Sequence, residues 1–259
     1  MEQGGMMNTL KGKNALVTGG GSGIGLAIVK ELASLGANVF VHYHRSGESA
    51  KAVAAMLRSE GLDSQVVQAD LSTQEGSAAL AGFLSSRWDH LDVLVNNTGD
   101  LIARQSLEQL DMDYYRRVMA VNLDSNVLVT KALLPLLKKA GSSSVVNLSS
   151  LAGRKGGHGG SVFYATAKGA ILTLTRALST ELAPYGIRVN AVAPGLILGS
   201  SFHAIHSSEE SKQATIAQIP LKRAGGCEDV ARAVAFFASE YDGFITGATL
   251  DINGGIYMA

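Results

Sequence analysis

The chain reads as an α/β protein: a doubly wound, mostly parallel sheet of seven strands with helices on both faces, in a single domain. Three observations predict this. Short apolar or β-branched runs alternate with Ala-, Leu- and Glu-rich runs of helical period from one end of the chain to the other. The strand-like runs are apolar at consecutive positions, as strands covered on both faces require. With 259 residues, 46% of them hydrophobic, the chain can bury one large core without a disulfide or metal staple.

The elements follow in order. The first strand, Ala15–Thr18, stops at a run of glycines, and a helix is predicted over 24–35. The second, Val39–Tyr43, leads through His44-Arg45-Ser46 into a helix over 48–60. The third, Gln65–Ala69, ends at Asp70-Leu71 before a helix over 74–87. The fourth, Val93–Asn96, runs into Asn97-Thr98-Gly99, and one long helix is predicted over 113–139. The fifth, Ser144–Leu148, ends at Ser149-Ser150, with a helix over 161–183. The sixth, Arg188–Ala193, ends at Pro194-Gly195, and a helix over 228–239 precedes the last strand, Thr249–Ile252. Only residues 194–220 break the rhythm. A connection of that length leaving a strand's carboxyl end, where such sheets bind ligands, is expected to be a substrate lid, about 195–220. Residues 1–9 are polar and read as a flexible tail, leaving 10–259 as the domain.

Composition removes several function classes. Lys and Arg number 22 against 22 Asp and Glu, so the basic bias of a nucleic-acid or anionic-membrane binder is missing. The single cysteine, Cys227, excludes a disulfide framework and a Cys-pair zinc site. No apolar run approaches a membrane span of roughly 20 residues. The expectation is a cytoplasmic globular protein with no catalytic metal and no nucleic-acid or membrane partner.

The first strand runs into Thr18-Gly19-Gly20-Gly21-Ser22-Gly23-Ile24-Gly25. Glycines here let the backbone turn sharply and approach a pyrophosphate, which then sits on the helix's open N–H groups and positive dipole end. A glycine fingerprint alone is a weak signal; its place in the first strand–helix unit strengthens it. The spacing Thr18-Gly19-x-x-x-Gly23-x-Gly25 resembles the phosphate loop of the short-chain dehydrogenase/reductase family, and the resemblance continues over residues 10–257. It implies a Rossmann-type fold that holds a nicotinamide dinucleotide. Asp70-Leu71 matches the family's adenine-side acidic position, Asn96-Asn97-Thr98-Gly99 its Asn-Asn-Ala-Gly turn, and Pro194-Gly195, with Ile197 close behind, its nicotinamide-side turn. Asn122, Ser150, Tyr164 and Lys168 match its catalytic tetrad.

An NAD enzyme usually ends its second strand with a carboxylate for the ribose hydroxyls, whereas an NADP enzyme supplies cations. Here Tyr43 stands where the acid would be, followed by His44, Arg45 and Ser46, and no carboxylate appears before Glu48. Arg45 can grip a phosphate through two parallel charge-assisted bonds. NADPH is therefore the expected cofactor and NAD the less favoured one.

Tyr164 and Lys168 lie four apart in a predicted helix and share a face. A phenol near pKa 10 is a poor acid–base group at neutral pH unless its anion is stabilised, and a lysine one turn away is expected to do this. Taken alone, such a pair is ordinary helix surface; its order behind a phosphate loop points to chemistry. By the resemblance, Lys168 also holds the nicotinamide ribose, Ser150 polarises the substrate carbonyl and Asn122 holds a water. Ser149 and Ser150 point to opposite sides of a strand; Ser150 is chosen because it precedes Leu151-Ala152-Gly153, as in resembling chains. Thr98 in place of the usual alanine, and Gly199 where the family often has threonine, are departures that leave the grip on the nicotinamide amide open.

Arg104, Arg154 and His158, with Phe202 and His203 in the lid, favour a polar, anionic carbonyl substrate such as a keto acid or uronate. Short stretches look like bacterial keto-deoxy-uronate reductases. A 3-oxoacyl-carrier-protein reductase is the alternative, although residues 141–144 and 185–186 lack the arginines that would dock an acidic carrier. A non-catalytic dinucleotide sensor is the remote one. Helices 113–139 and 161–183 are apolar on more than one stripe, and the resemblance implies a homotetramer or homodimer.

Overall fold

Alternate residues of each strand enter two separate cores, so every strand needs cover above and below. In this computed structural model, which describes residues 9–199, 208–239 and 243–259, β1 (Asn14–Val17), β2 (Asn38–Tyr43), β3 (Ser64–Gln68), β4 (Val93–Asn96), β5 (Ser143–Leu148), β6 (Ile187–Pro194) and β9 (Thr249–Ile252) form one parallel sheet in the order β3-β2-β1-β4-β5-β6-β9. Two short strands between the last pair, β7 (Ile197–Leu198) and β8 (Gly225–Gly226), pair with each other. Ala15, Val17, Val39 and Val41 face a core closed by α1 (Gly23–Ser34), α2 (Gly47–Ser59) and α9 (Cys227–Ala238). Leu16, Phe40, Leu94 and Val145 face the other, closed by α3 (Gln74–Ser85), α5 (Ser125–Lys139) and the end of α7 (Val162–Leu182). There the Phe40 ring stacks on Trp88 with centroids 3.8 Å apart. Each such fully buried large apolar side chain contributes about 1.5–3 kcal/mol.

The strand order reverses between β1 and β4, and the crevice at their carboxyl ends is where such sheets bind ligands. A buried amide ladder stiffens that end: Asn96 Nδ2 donates to Asn147 Oδ1 at 2.9 Å and to Thr130 Oγ1 at 3.0 Å, and Asn147 Nδ2 donates to Thr175 Oγ1 at 3.0 Å. It ties β4 and β5 to α5 and α7. No helix among the described residues is long and apolar enough to cross a membrane.

Two expectations need correction. The single helix over 113–139 is α4 (Met112–Met119), one wide π-type turn (Ala120–Asp124) and α5. The Asn122 amide reaches back to the Val118 carbonyl and out to the Asp100 carbonyl, and this local bonding accompanies a turn that a 3.6-residue period does not register. The 194–220 stretch is not one unstructured connection either: α8 (Glu209–Gln218) lies within it, capped by Ser208 Oγ accepting from the Ser211 N–H. Its polar sequence offers no apolar stripe, so periodicity passes over it. The short α6 (Leu151–Lys155), capped by Ser150, lies between β5 and α7.

Candidate active site

A cleft of about 1080 Å³ opens at the carboxyl ends of β1, β4 and β5. Gly19, Ser22, Gly23, Ile24 and Gly25 form one wall. Gly19 and Gly23 adopt φ of 62° and 50°, conformations that glycine enters without strain. A Cβ on Gly25 would run into the Gly19 carbonyl oxygen, so the turn closes this tightly only around glycine. Asn97 Nδ2 donates to the Thr18 and Gly19 carbonyls, and Thr18 Oγ1 accepts from the N–H groups of Asn97 and Thr98. Ser22 caps α1 with no side-chain bond, and no carboxylate stands in the first turn. The helix's positive end is thus left to an anion in the cleft.

His44, Arg45, Ser46 and Asp70 line the same end. Asp70 Oδ1 accepts from the Ser72 hydroxyl and N–H, which with burial opposing holds its carboxyl below the usual range; His44 and Arg45 add to the lowering. Asn97, Thr98 and Gly99 form the floor, and Pro194, Gly195 and Ile197 the far wall. This set fits a nicotinamide dinucleotide: a glycine cradle that a Cβ would fill, an open helix N-terminus for a pyrophosphate, and the Arg45 guanidinium at one end. Three expected contacts lie elsewhere. Tyr43 turns into the core, 8% exposed, against Gly47. Leu71 is buried in the opposite core. Gly21 packs against Ser46, whose hydroxyl a Cβ there would strike.

Ser150, Tyr164 and Lys168 line the middle of the cleft. Lys168, 3% exposed, donates from Nζ to the Leu148 carbonyl at 2.8 Å. A Cβ on Gly99 would lie 2.8 Å from Lys168 Nζ and from Asn122 Oδ1, so these two groups flank the same glycine. Asn122 is fully buried; its Oδ1 accepts from the Asp100 N–H at 3.1 Å. Ser149 Oγ donates to the Lys168 carbonyl at 2.7 Å and is used within the protein, whereas Ser150 shares a hydrogen bond with the Tyr164 hydroxyl. That difference separates the adjacent serines.

The electrostatics differ from the sequence expectation. Burial pushes the Tyr164 phenol up to about 12, against the lowering effect of the Ser150 bond, with Asp100 raising it further. Burial brings Lys168 down to about 8. Lys168 Nζ lies 5.8 Å from the Tyr164 ring centroid. Desolvation is the largest influence on the phenol, and the net shift is upward.

At the other end, Arg104 and His158 line the cleft with Lys155 of the same basic stretch, joined by Arg117 and Lys212, which the sequence reading missed. Lys212 sits on α8, paired with Glu209 at 2.6 Å. Arg154 does not reach the cleft: its Nε donates to Asp251 at 3.0 Å. Phe202 and His203 lie outside the described residues. The loop after Gly99 holds Ile102 at φ 65°, a conformation in which a β-branched residue is strained.

A family model described as enoyl-(acyl carrier protein) reductase matches residues 19–257. The chain belongs to the short-chain dehydrogenase/reductase family. It is similar to a 3-oxoacyl-[acyl-carrier-protein] reductase of Staphylococcus aureus, 38% identical over 250 residues that cover 95% of this chain and 98% of the relative. Glucose 1-dehydrogenase 2 of Bacillus subtilis is 36% identical, over 98% of each chain. The crystal structure of an NADH-dependent reductase responsible for alginate metabolism superposes with a TM-score of 0.88 at 34% identity, covering 97% of this chain and all of that one. As a short-chain dehydrogenase/reductase the protein is an oxidoreductase of carbonyl and alcohol groups that draws on a nicotinamide dinucleotide.

Proposed function

We propose that this short-chain dehydrogenase/reductase reduces a small polar or anionic carbonyl compound, keto acid or uronate-like, with NADPH in the cytoplasm. Asn122, Ser150, Tyr164 and Lys168 carry the chemistry. The observation behind the reading is the Tyr164 hydroxyl bonded to Ser150, one helical turn from buried Lys168, in the cleft that also receives the open end of α1. A bound nicotinamide supplies hydride to the carbonyl carbon. Tyr164 keeps its proton at neutral pH because its pKa stands at about 12, and passes it to the carbonyl oxygen. Ser150 orients that oxygen through its hydroxyl. Lys168, a cation below about pH 8, offsets the charge left on the phenol oxygen. Asn122 holds the Asp100 backbone and flanks the ammonium group.

His44, Arg45 and Ser46 at the dinucleotide end favour NADPH over NADH, although the similar alginate-metabolism reductase is named NADH-dependent. Arg104, Arg117, Lys155 and Lys212 at the other end favour an anionic substrate. The Staphylococcus aureus relative supports the second reading, reduction of a 3-oxoacyl thioester on a carrier protein. Against it, Lys138, close to where a carrier would dock, lies 3.4 Å over the Tyr185 ring. Exposed Val127 on α5 and Val162 on α7 support assembly as a homodimer or homotetramer, which light scattering tests. The deciding experiment mixes protein with NADPH or NADH and a panel of keto acids, keto-deoxy-uronates and 3-oxoacyl thioesters. Oxidation of NADPH with the acids supports the first reading, and turnover only with the thioesters the second. Tight cofactor binding with no turnover overturns both.

A further inference from the structure

We infer that His42 is a positioning residue for the cofactor: its imidazole straps the glycine turn after β1 to the end of β3. The inference rests on the dinucleotide reading above. His42 is 1% exposed and lines the cleft. The Gly19 N–H donates to its Nδ1 at 3.1 Å, and its Nε2 lies 3.1 Å from the Ala69 carbonyl oxygen. A carbonyl only accepts and an N–H only donates, so the two partners select one tautomer, with the proton on Nε2. Burial, the largest influence, brings the ring down to about 4, so it stays neutral in ordinary buffers and both bonds persist.

The partners are what make the ring more than a satisfied core histidine. Gly19 opens the glycine turn at φ 62°, and Ala69, just past the end of β3, precedes Asp70, two strands away from β1. The main chain ties the same points, with the Gly20 N–H donating to the His42 carbonyl at 2.8 Å and the Ala69 N–H to the Tyr43 carbonyl at 3.2 Å. The side chain thus adds a second tie between the glycine turn and the Asp70 side of the cleft. An apolar side chain would leave the Gly19 N–H and Ala69 carbonyl without these bonds.

The test compares H42L, in which both bonds are lost, with H42Q, whose amide carries one acceptor and one donor; H42A replaces H42L if that variant does not fold. Binding of NADPH, of adenosine 2′,5′-bisphosphate and of nicotinamide mononucleotide is measured by titration calorimetry, and KM and kcat by steady-state kinetics. H42L is expected to weaken NADPH and the bisphosphate about tenfold. It should leave nicotinamide mononucleotide within about twofold and raise KM for NADPH with kcat nearly constant, and H42Q should recover most of the loss. Parent-like NADPH affinity in H42L, equal weakening of all three ligands, or H42Q as weak as H42L overturns the strap. A parent protein that binds neither NADPH nor NADH removes the dinucleotide reading itself.

Discussion

At the dinucleotide end of the cleft, Thr18, Gly19, His42, Ala69 and Asn97 are joined by hydrogen bonds between strand ends, many of them through main-chain groups. At the substrate end, Ile102, Arg104 and the 156–160 glycine stretch meet through longer connections. The Arg104 guanidinium donates to the Gly159 carbonyl at 3.0 Å and the Gln105 N–H to the Gly160 carbonyl at 3.0 Å. Tyr114 Oη donates to the Ala103 carbonyl at 2.7 Å, and the Ala103 N–H closes on the Leu101 carbonyl at 2.8 Å around Ile102. A parallel sheet presents fixed donors and acceptors at its carboxyl edge, and a shared ligand can be built onto them. The substrate end has no such edge. It is assembled from loops and from α8, and it stores strain at Ile102 that the surrounding bonds hold in place.

The largest break in this contrast comes at the middle of the cleft. Tyr164→Phe should lower kcat by about 10²–10⁴-fold while leaving the dissociation constant for NADPH within a factor of two; retention of most of the rate removes Tyr164 from the chemistry. Lys168→Met should come next, with a pH signature. Because the folded pKa of about 8 lies below the ordinary 10.5, the unfolded chain binds more protons between those values. The parent should therefore gain about 3 kcal/mol of stability relative to the variant as pH rises from 8 to 10.5, seen in denaturant titrations. Below pH 8 the difference should be constant, with the variant relatively more stable. Turnover of the parent in reduction should fall above about pH 8 as the ammonium charge is lost.

Smaller effects sharpen the two ends. Arg45→Asp should shift the ratio of NADPH to NADH affinity towards NADH by about ten- to hundredfold, the weight of one charged hydrogen-bond partner. An unchanged ratio places the phosphate grip elsewhere. Ile102→Gly should relieve left-handed strain at some cost in unfolded-chain entropy, for a net gain of about 1 kcal/mol and a rise of about 2–4 °C in Tm. A lower Tm would mean that the turn is not strained.

Much of the fold was legible because its signals are local. Seven runs apolar at consecutive positions, each followed by helical periodicity, lead to a parallel sheet with two cores, and the glycine spacing marks the switch point. The tetrad could be named from motifs in order, and Ser150 rather than Ser149 could be chosen by resemblance, although only the bond from Ser149 to the Lys168 carbonyl gives the physical reason. The π-type turn at Asn122 was not legible: the Asn122 amide bonds the Asp100 backbone, 22 residues away in sequence, a partner that no local period registers. Helix α8 was missed because its polar sequence carries no stripe. Arg154 looked like Arg104 in sequence, but Asp251, 97 residues away, draws it from the cleft.

Residue order thus specifies the elements, their succession and the chemical types available at each strand end, since propensity, periodicity and turn chemistry act over a few neighbours. Which side chains reach the cleft and which proton they hold is settled elsewhere. Tyr43 against His42, Arg154 against Lys155, and a phenol raised rather than lowered all depend on burial and on partners distant in the chain. Desolvation is a property of the packed whole, and no window of sequence contains it.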